Sequence, residues 1–428
     1  MSQYSDLIRS LTGSKAVDQL RTLYGNRDGQ IVTQTDRYTE LLSRHEKYFP
    51  TTEKVRLISA PGRMEIGGNH TDHNRGKVLA ASASLDTVAA VAPRPDMIVR
   101  VRSEGYPPLT LDLNELDSVK KEEGTTTGLI RGVAARMKEM GHRIGGFDAT
   151  ITSTVVSGSG LSSSAAFEVL MVAIFDRLYN DGNMDFMESA KISQYSENVY
   201  FGKPSGLLDQ AASAAGGLVT MDFKLDEPKV KRLSYDFASK GYALVVQSTG
   251  GSHADLTDAY SAVPREMKEV AAFFHEDVLR RVRSEEFYQA IPQLRGKVSD
   301  RAILRAMHFY QENERVTRQV EALEKDDIQA FFREIIASGR SSFMYLQNVY
   351  ARETEQSLSI ALAMAESMLE GRGAWRVHGG GFAGTTLNFV PLDMVEEFRS
   401  VMEPVFGAHS CHVLDIRPVG AAELVLND

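Results

Sequence analysis

Apolar positions recur at helical intervals early in the chain: Leu7, Ile8 and Leu11, then Tyr38, Leu41 and Leu42. Charged residues fill the gaps, which predicts helices across residues 1 to about 50. Residues 55–60 read as a strand ending at Pro61-Gly62, and 85–92 and 97–102 as strands about a proline turn at 93–95. A helix is predicted from 129 to 140, stopped by Gly141. Residues 147–155 alternate as a strand. A helical pattern then runs to about Tyr179, with Val169, Leu170, Ala173 and Leu178 able to bury one face. Helices follow at about 186–200 and through Asp209, the latter ending at Gly216-Gly217. Strands at 218–223 and 242–248 precede a strongly helical stretch, about 262–369. The chain closes with a strand at 385–390, a helix at about 393–402 and a last strand at 421–427.

Strands and helices are mostly segregated, which predicts an α+β fold. Gly216-Gly217 marks the expected domain boundary, with an N-terminal domain over 1–216 and a C-terminal domain over 217–411. The final segment, 412–428, is expected to return to the first domain. A length of 428 residues fits two or three domains, and a hydrophobic content of 43% is ample for their cores. The net charge of −9 argues against nucleic acid as a partner. The single cysteine, Cys411, excludes an internal disulfide and reads as a core residue. The polar start, without an apolar leader, and the lack of 18 consecutive apolar residues point to a cytoplasmic protein with no membrane partner.

Four segments concentrate chemistry. The run Gly158-Ser159-Gly160-Leu161-Ser162-Ser163-Ser164-Ala165-Ala166 joins a strand to a helix. Glycines free the backbone for a tight turn, and a helix start offers unpaired N–H groups to phosphate. No Gly-Lys pair precedes a Ser or Thr, so the P-loop pattern is missing. Gly379 to Gly384 fits a dinucleotide fingerprint as a string, yet a strand follows it, which argues against a nicotinamide enzyme. Its other reading is a backbone that approaches a substrate closely. The loop from Pro61 to Gly76 packs Arg63, Asn69, His70, Asp72 and His73 among glycines, which suits a polyhydroxylated ligand. A zinc site on His70, Asp72 and His73 is an alternative. Between Ser193 and Gln210, Glu197 falls in a predicted helix and Asp209 in the first turn after Gly206. One carboxylate could hold a metal while the other works on a proton. Taken singly, each of these features also fits a cap, a turn or a solvated helix face.

Together the four segments resemble the galactokinases of the GHMP small-molecule kinase family. The loop at 61–76 resembles the sugar loop PGRxNxIGEHTDYNxG, and 158–166 contains the phosphate-loop string GLSSSA. GKPSGLLDQ at 202–210 is similar to GxxCGxMDQ, and GGGFAG at 379–384 to GAGFGG. The resemblance implies an N-terminal domain like a ribosomal-protein S5 domain and a ferredoxin-like C-terminal domain. It implies ATP-dependent phosphorylation of the C1 hydroxyl of galactose. By position, Asp209 matches the catalytic aspartate and Arg63 its arginine. Ser164 and Glu197 match a magnesium pair. His70, Asp72, Gly206 and, more loosely, Tyr260 match sugar contacts. Gly158, Ser159, Gly160, Leu161, Ser162, Ser163 and Ser164 match the ATP loop. Four positions depart from the pattern. Glu65 replaces asparagine, Asn69 replaces glutamate, Gly67 replaces isoleucine and His73 replaces tyrosine. Asn69 is expected at the sugar's C6 hydroxyl, where the change bears on tolerance of a C6 carboxylate. Alternatives are a kinase of galacturonate, arabinose or N-acetylgalactosamine, and a sugar-sensing regulator without turnover.

Overall fold

The structure is a computed structural model describing residues 3–25, 29–155, 160–250, 256–382 and 384–426, with only the backbone of Thr257. Three helices open it: α1 (Gln3–Ser10), α2 (Ser14–Tyr24) and α3 (Gln30–Tyr48). The first lobe follows as β1 (Arg56–Gly67), β2 (Lys77–Pro93), β3 (Ile98–Ser103), β4 (Leu109–Asp112), α4 (Thr126–Glu139) and β5 (Phe147–Ser153). It continues through α5 (Ser163–Tyr179), α6 (Phe186–Tyr195), α7 (Leu208–Ala215), β6 (Leu218–Asp222) and β7 (Lys229–Leu233). The second lobe comprises β8 (Tyr242–Ser248), α8 (Thr257–Phe273), α9 (Ser284–Leu294), α10 (Asp300–Glu324), α11 (Ile328–Ser341) and α12 (Ser357–Leu369). It ends with β9 (Ala374–His378), β10 (Thr385–Pro391), α13 (Val395–Phe406) and β11 (Cys411–Leu414), before β12 (Ala422–Leu424).

The first sheet runs β12-β1-β2-β5-β3-β4, with the β6–β7 hairpin added to the near end of β2. The second runs β11-β8-β10-β9. Every pairing is antiparallel except β3 with β5. The α+β segregation of the sequence is therefore the observed architecture. Two boundaries differ from expectation. The first sheet continues past Gly216-Gly217 to Leu233, because Leu218–Asp222 pairs with Lys77–Ala81. The first strand also continues past Pro61-Gly62 to Gly67. Register shifts between Pro61 and Arg63 and between Glu65 and Gly67 absorb the proline and bend the strand. That bend carries Arg63 and Glu65 from the first sheet toward the second.

Apolar packing joins the two lobes. Met64, Ile66, Leu79 and Ala81 of the first sheet share one core with Leu244, Val246, Leu387 and Phe389 of the second. Helices α10 and α11 add Val316, Phe331 and Ile335 to it. A separate core under α4, α5 and α6 anchors α5, so its N-terminus has a fixed place. Cys411 is buried in β11, where its thiol donates to Gln247 Oε1 at 2.6 Å and burial pushes it up to about 12. Among the described residues no helix is long and apolar enough to cross a membrane.

Candidate active site

The glycine-serine loop and α5 meet the bent end of β1. Gly160 packs on Thr385 at the start of β10, where any side chain would overlap the threonine. Leu161 is fully buried, and its carbonyl accepts the Arg63 backbone N–H at 3.0 Å. The Leu161 side chain is thus core. Ser162 caps α5 with φ 55, a left-handed conformation rare outside glycine. Ser163 and Ser164 form the first turn, with N–H groups free of intrahelical partners. Gly158 and Ser159 lie outside the described residues.

Asp209 stands in the first turn of α7. Arg63 grips it with two bonds, Nε to Oδ1 at 2.6 Å and Nη2 to Oδ2 at 3.0 Å. The Ser162 hydroxyl donates to the same Oδ2, and Arg63 Nη1 donates to the Gly160 carbonyl. One charge-assisted network therefore fixes carboxylate, arginine and the glycine-serine loop together. Burial pushes the Asp209 pKa up, but the Arg63 charge and the hydrogen bonds from Arg63 and Ser162 outweigh it, and the carboxyl titrates below its usual range. Its side chain keeps 30% exposure, so part of the anion still faces outward.

Glu197 lies in a π-helical turn, Ser196–Phe201, that follows α6. Its Oε1 accepts from Ser164 Oγ at 3.0 Å, joining the two expected metal ligands. The same oxygen receives the Lys203 ammonium at 3.0 Å. Gln210 Nε2 bridges Glu197 Oε2 at 2.8 Å and Glu168 Oε2 at 3.1 Å. Glu168 is fully buried, and burial beside Glu197 raises its pKa well above the ordinary value.

The segment at 61–76 reaches the same place. Asp72 Oδ2 accepts the Leu208 N–H at 3.2 Å, one residue from Asp209. Gly206 packs directly against it, and a β-carbon there would displace the Asp72 carboxylate. His70 Nε2 pairs with the Gly380 carbonyl at 2.9 Å, and its ring stacks on His73 at 6.0 Å. Burial and the neighbouring His73 lower the His70 pKa to about 4, so it is neutral near pH 7. The Tyr260 hydroxyl donates to Gly381 at 2.9 Å, which places its ring on the glycine turn. Among the described residues no group of three His, Cys, Asp or Glu could hold a metal ion, which disposes of the zinc alternative there.

Asn69 requires a correction. It is fully buried, and its amide is committed: Nδ2 donates to Glu65 Oε1 at 2.8 Å and to the Gly379 carbonyl at 2.7 Å. Its Oδ1 accepts from Asn348 at 2.8 Å and Ser342 at 3.3 Å. The side chain therefore supports the glycine turn from behind and presents no surface to a C6 hydroxyl. Glu65 is likewise withdrawn, paired with the fully buried Arg376 at 2.7 Å. Burial raises the Glu65 pKa, opposed by Arg376 and Arg63.

Sequence reasoning missed several residues of this cluster. His378 accepts the Glu65 N–H on Nε2 at 3.0 Å and bonds Thr385 Oγ1 through Nδ1 at 3.0 Å. Burial, with Arg63 and Arg376 nearby, drives its pKa far down, so it is neutral with its proton on Nδ1. It stitches the sugar strand to the residue under Gly160. Lys203, Gln210 and Glu168 were also passed over. A lysine in a loop and a glutamate in a helix carry no local mark of burial beside a carboxylate.

A helix start with unpaired N–H groups and an arginine-clamped aspartate, on two sheets sharing a core, fit a small-molecule kinase of the GHMP type. Residues 128–217 match the GHMP kinase N-terminal domain, and 43–93 match the galactokinase galactose-binding signature. A galactokinase of Streptomyces coelicolor is 31% identical over 353 residues, covering 82% of this chain and 88% of that protein. The chain belongs to the galactokinase family. A crystal structure of Lactococcus lactis galactokinase complexed with galactose superposes with TM-score 0.80 at 26% identity, over 90% of this chain and 99% of that one. A mevalonate kinase of Methanococcus jannaschii shares the fold, with TM-score 0.61 at 13% identity over 86% of this chain and 99% of the other.

Proposed function

We propose that this protein transfers the γ-phosphate of ATP to the C1 hydroxyl of galactose. The observation that carries the reading is the Arg63–Asp209 clamp, joined through Ser162 to the phosphate loop and set one residue from the Leu208–Asp72 contact. Backbone N–H groups of residues 158–164 bind the phosphates. Asp72, His70, the Gly206 backbone and Tyr260 surround the sugar. Asp209 accepts the hydroxyl proton, and Arg63 keeps it ionised, aimed and shielded from the incoming phosphate charge. An aspartate held this acidic is a weak base, so positioning carries much of the acceleration and the proton moves late.

Ser164 and Glu197 fit a magnesium ion. The donor set is one hydroxyl and one carboxylate, which leaves most positions for phosphate and water, and a lysine ammonium already sits on Glu197 as a stand-in cation. Bound there, magnesium would neutralise charge on the phosphates. An ATP-using enzyme with one buried cysteine fits the cytoplasm.

The test is a coupled assay with ATP over galactose, galacturonate, arabinose, N-acetylgalactosamine and mevalonate. Galactose should give the highest kcat/KM. Asp209→Asn should bind sugar and nucleotide while losing roughly 10²–10⁴-fold in turnover. A variant keeping more than about a tenth of wild-type turnover has no such base contribution. Sugar binding without turnover in the wild type would make it a regulator.

A further inference from the structure

Lys203 is the unexplained charge of the site. Its backbone is pinned: its N–H bonds the Glu197 carbonyl at 3.1 Å, after Gly202 turns the chain with φ 80. Ser205 is tied to Asn198 Oδ1 at 2.7 Å, so the 202–206 loop has a fixed course. From this anchor the side chain reaches Glu197 Oε1 at 3.0 Å, the oxygen that Ser164 also uses. The two partners are unlike: the lysine side chain is 58% exposed, the glutamate 2%. Here an ammonium on a half-exposed side chain caps a buried carboxylate at the mouth of the phosphate site, with Asp209 adding negative charge nearby. Such a cap can be exchanged, because the half-exposed lysine side chain has solvent to move into and an incoming metal ion keeps Glu197 neutralised.

We propose that Lys203 is a movable cation of the phosphate site, neutralising Glu197 when the site is empty and pairing with the nucleotide's phosphates when a divalent ion takes its place. This rests on the kinase reading above, but not on which sugar is accepted. A metal ion on Glu197 Oε1 repels an ammonium on the same oxygen, like charge against like. The released ammonium stays tethered beside the phosphates by the Lys203–Glu197 backbone bond, and its natural partner is then the anion that arrived with the metal.

The consequence is a pair of opposite effects. Lys203→Gln removes the competitor, so Mn²⁺ should bind the nucleotide-free protein more tightly, on the order of tenfold for one charge-assisted bond. The same change removes a phosphate partner, so metal-free ADP should bind more weakly by a similar factor. Lys203→Arg keeps the charge and should stay near wild type in both. Mn²⁺ binding is read by electron paramagnetic resonance and ADP binding by titration calorimetry, both without sugar. Opposed changes in Lys203→Gln support the proposal. Changes in one direction, no change, or no measurable Mn²⁺ binding in either protein overturn it. A protein that shows the opposed changes yet leaves galactose untouched loses only its substrate assignment. One that phosphorylates galactose without them loses only the role of Lys203.

Discussion

Glu65 and Asn69 show how a position can be recognised and its role still misread. The resemblance puts asparagine first and glutamate four residues on; this chain has the reverse order, and the two side chains touch at 2.8 Å. Arg376, without exposure, takes its charge partner from Glu65. Glu65→Asn alone therefore strands a buried guanidinium, at a cost of about 3–5 kcal/mol. Asn69→Glu alone presses a second carboxylate against the first. The exchanged pair, Glu65→Asn with Asn69→Glu, retains one carboxylate, one amide and one arginine. Its destabilisation should fall short of the summed single effects by at least about 1 kcal/mol, the size of a real contact coupling. Urea denaturation of the four proteins checks this, and strict additivity would refute the pairing. Position 69 was legible as part of the sugar loop. Its burial was not, because the groups that enclose it, His308, Ser342 and Asn348, lie 239 to 279 residues away in sequence. By contrast the clustering of Asp209, Arg63 and Ser164 was legible because each sits in a short glycine- or serine-containing string, and that of Glu197 through its spacing of twelve residues before Asp209.

Helices α1 to α3 were legible as helices and illegible in purpose. The galactose-binding signature begins only at residue 43, and the Lactococcus lactis structure leaves a tenth of this chain unmatched while being itself matched over 99%. The structure gives the three helices a task. Tyr4, Leu20, Leu23, Tyr38, Leu41 and Leu42 cover Leu57, Val88, Ala90 and Ala92 on the open face of the first sheet. Beneath them Asp86 is wholly buried, bonded by Arg37 at 2.6 Å, Tyr24 at 2.5 Å, Arg417 at 3.0 Å and the Ser59 hydroxyl. Burial opposes its charge, yet Arg37 and Arg417 prevail and keep its pKa low. The cluster ties the opening helices to the return segment that leads into β12. Asp86→Asn should leave two buried guanidinium groups facing a neutral amide and cost about 3–5 kcal/mol. Adding Arg37→Met should recover part of that loss. The check is the urea midpoint of both variants, and an Asp86→Asn protein as stable as wild type would show the helices to be held by apolar contact alone. Such a cluster leaves no trace in sequence, since its members are scattered over 49 and 331 positions.

The whole molecule buries imidazoles, and this sets its response to acid. The core that spans both sheets was not legible either, because the strand break expected at Pro61-Gly62 concealed the bend that lets β1 serve both. Around that bend sit His70, His308 and His378, with His45 on α3 facing Thr150 of the first sheet. Burial lowers all four, His45 and His70 to about 4. In the unfolded chain each takes up a proton near the ordinary value of about 6.5. The folded protein thus binds fewer protons below that value, and its stability must fall as pH drops from about 6.5 toward 4. Glu65 and Glu168 act the other way: burial raises both, which opposes the loss wherever the folded state keeps a proton that the unfolded chain releases. Unfolding near pH 5.5 should therefore take up protons, each worth about 1.4 kcal/mol per pH unit. The depressed carboxyls of Asp86 and Asp209 add their own loss only below about pH 4, where the unfolded chain protonates its aspartates. Tm should fall steeply between about pH 6.5 and 5, and scanning calorimetry in two buffers of different ionisation heat should show proton uptake. A flat Tm across that window, or proton release on unfolding, would mean that the histidines are charged in the native state. The neutral His378 bridge between the sugar strand and Thr385 would then fall with it, because an imidazolium has no lone pair for the Glu65 N–H.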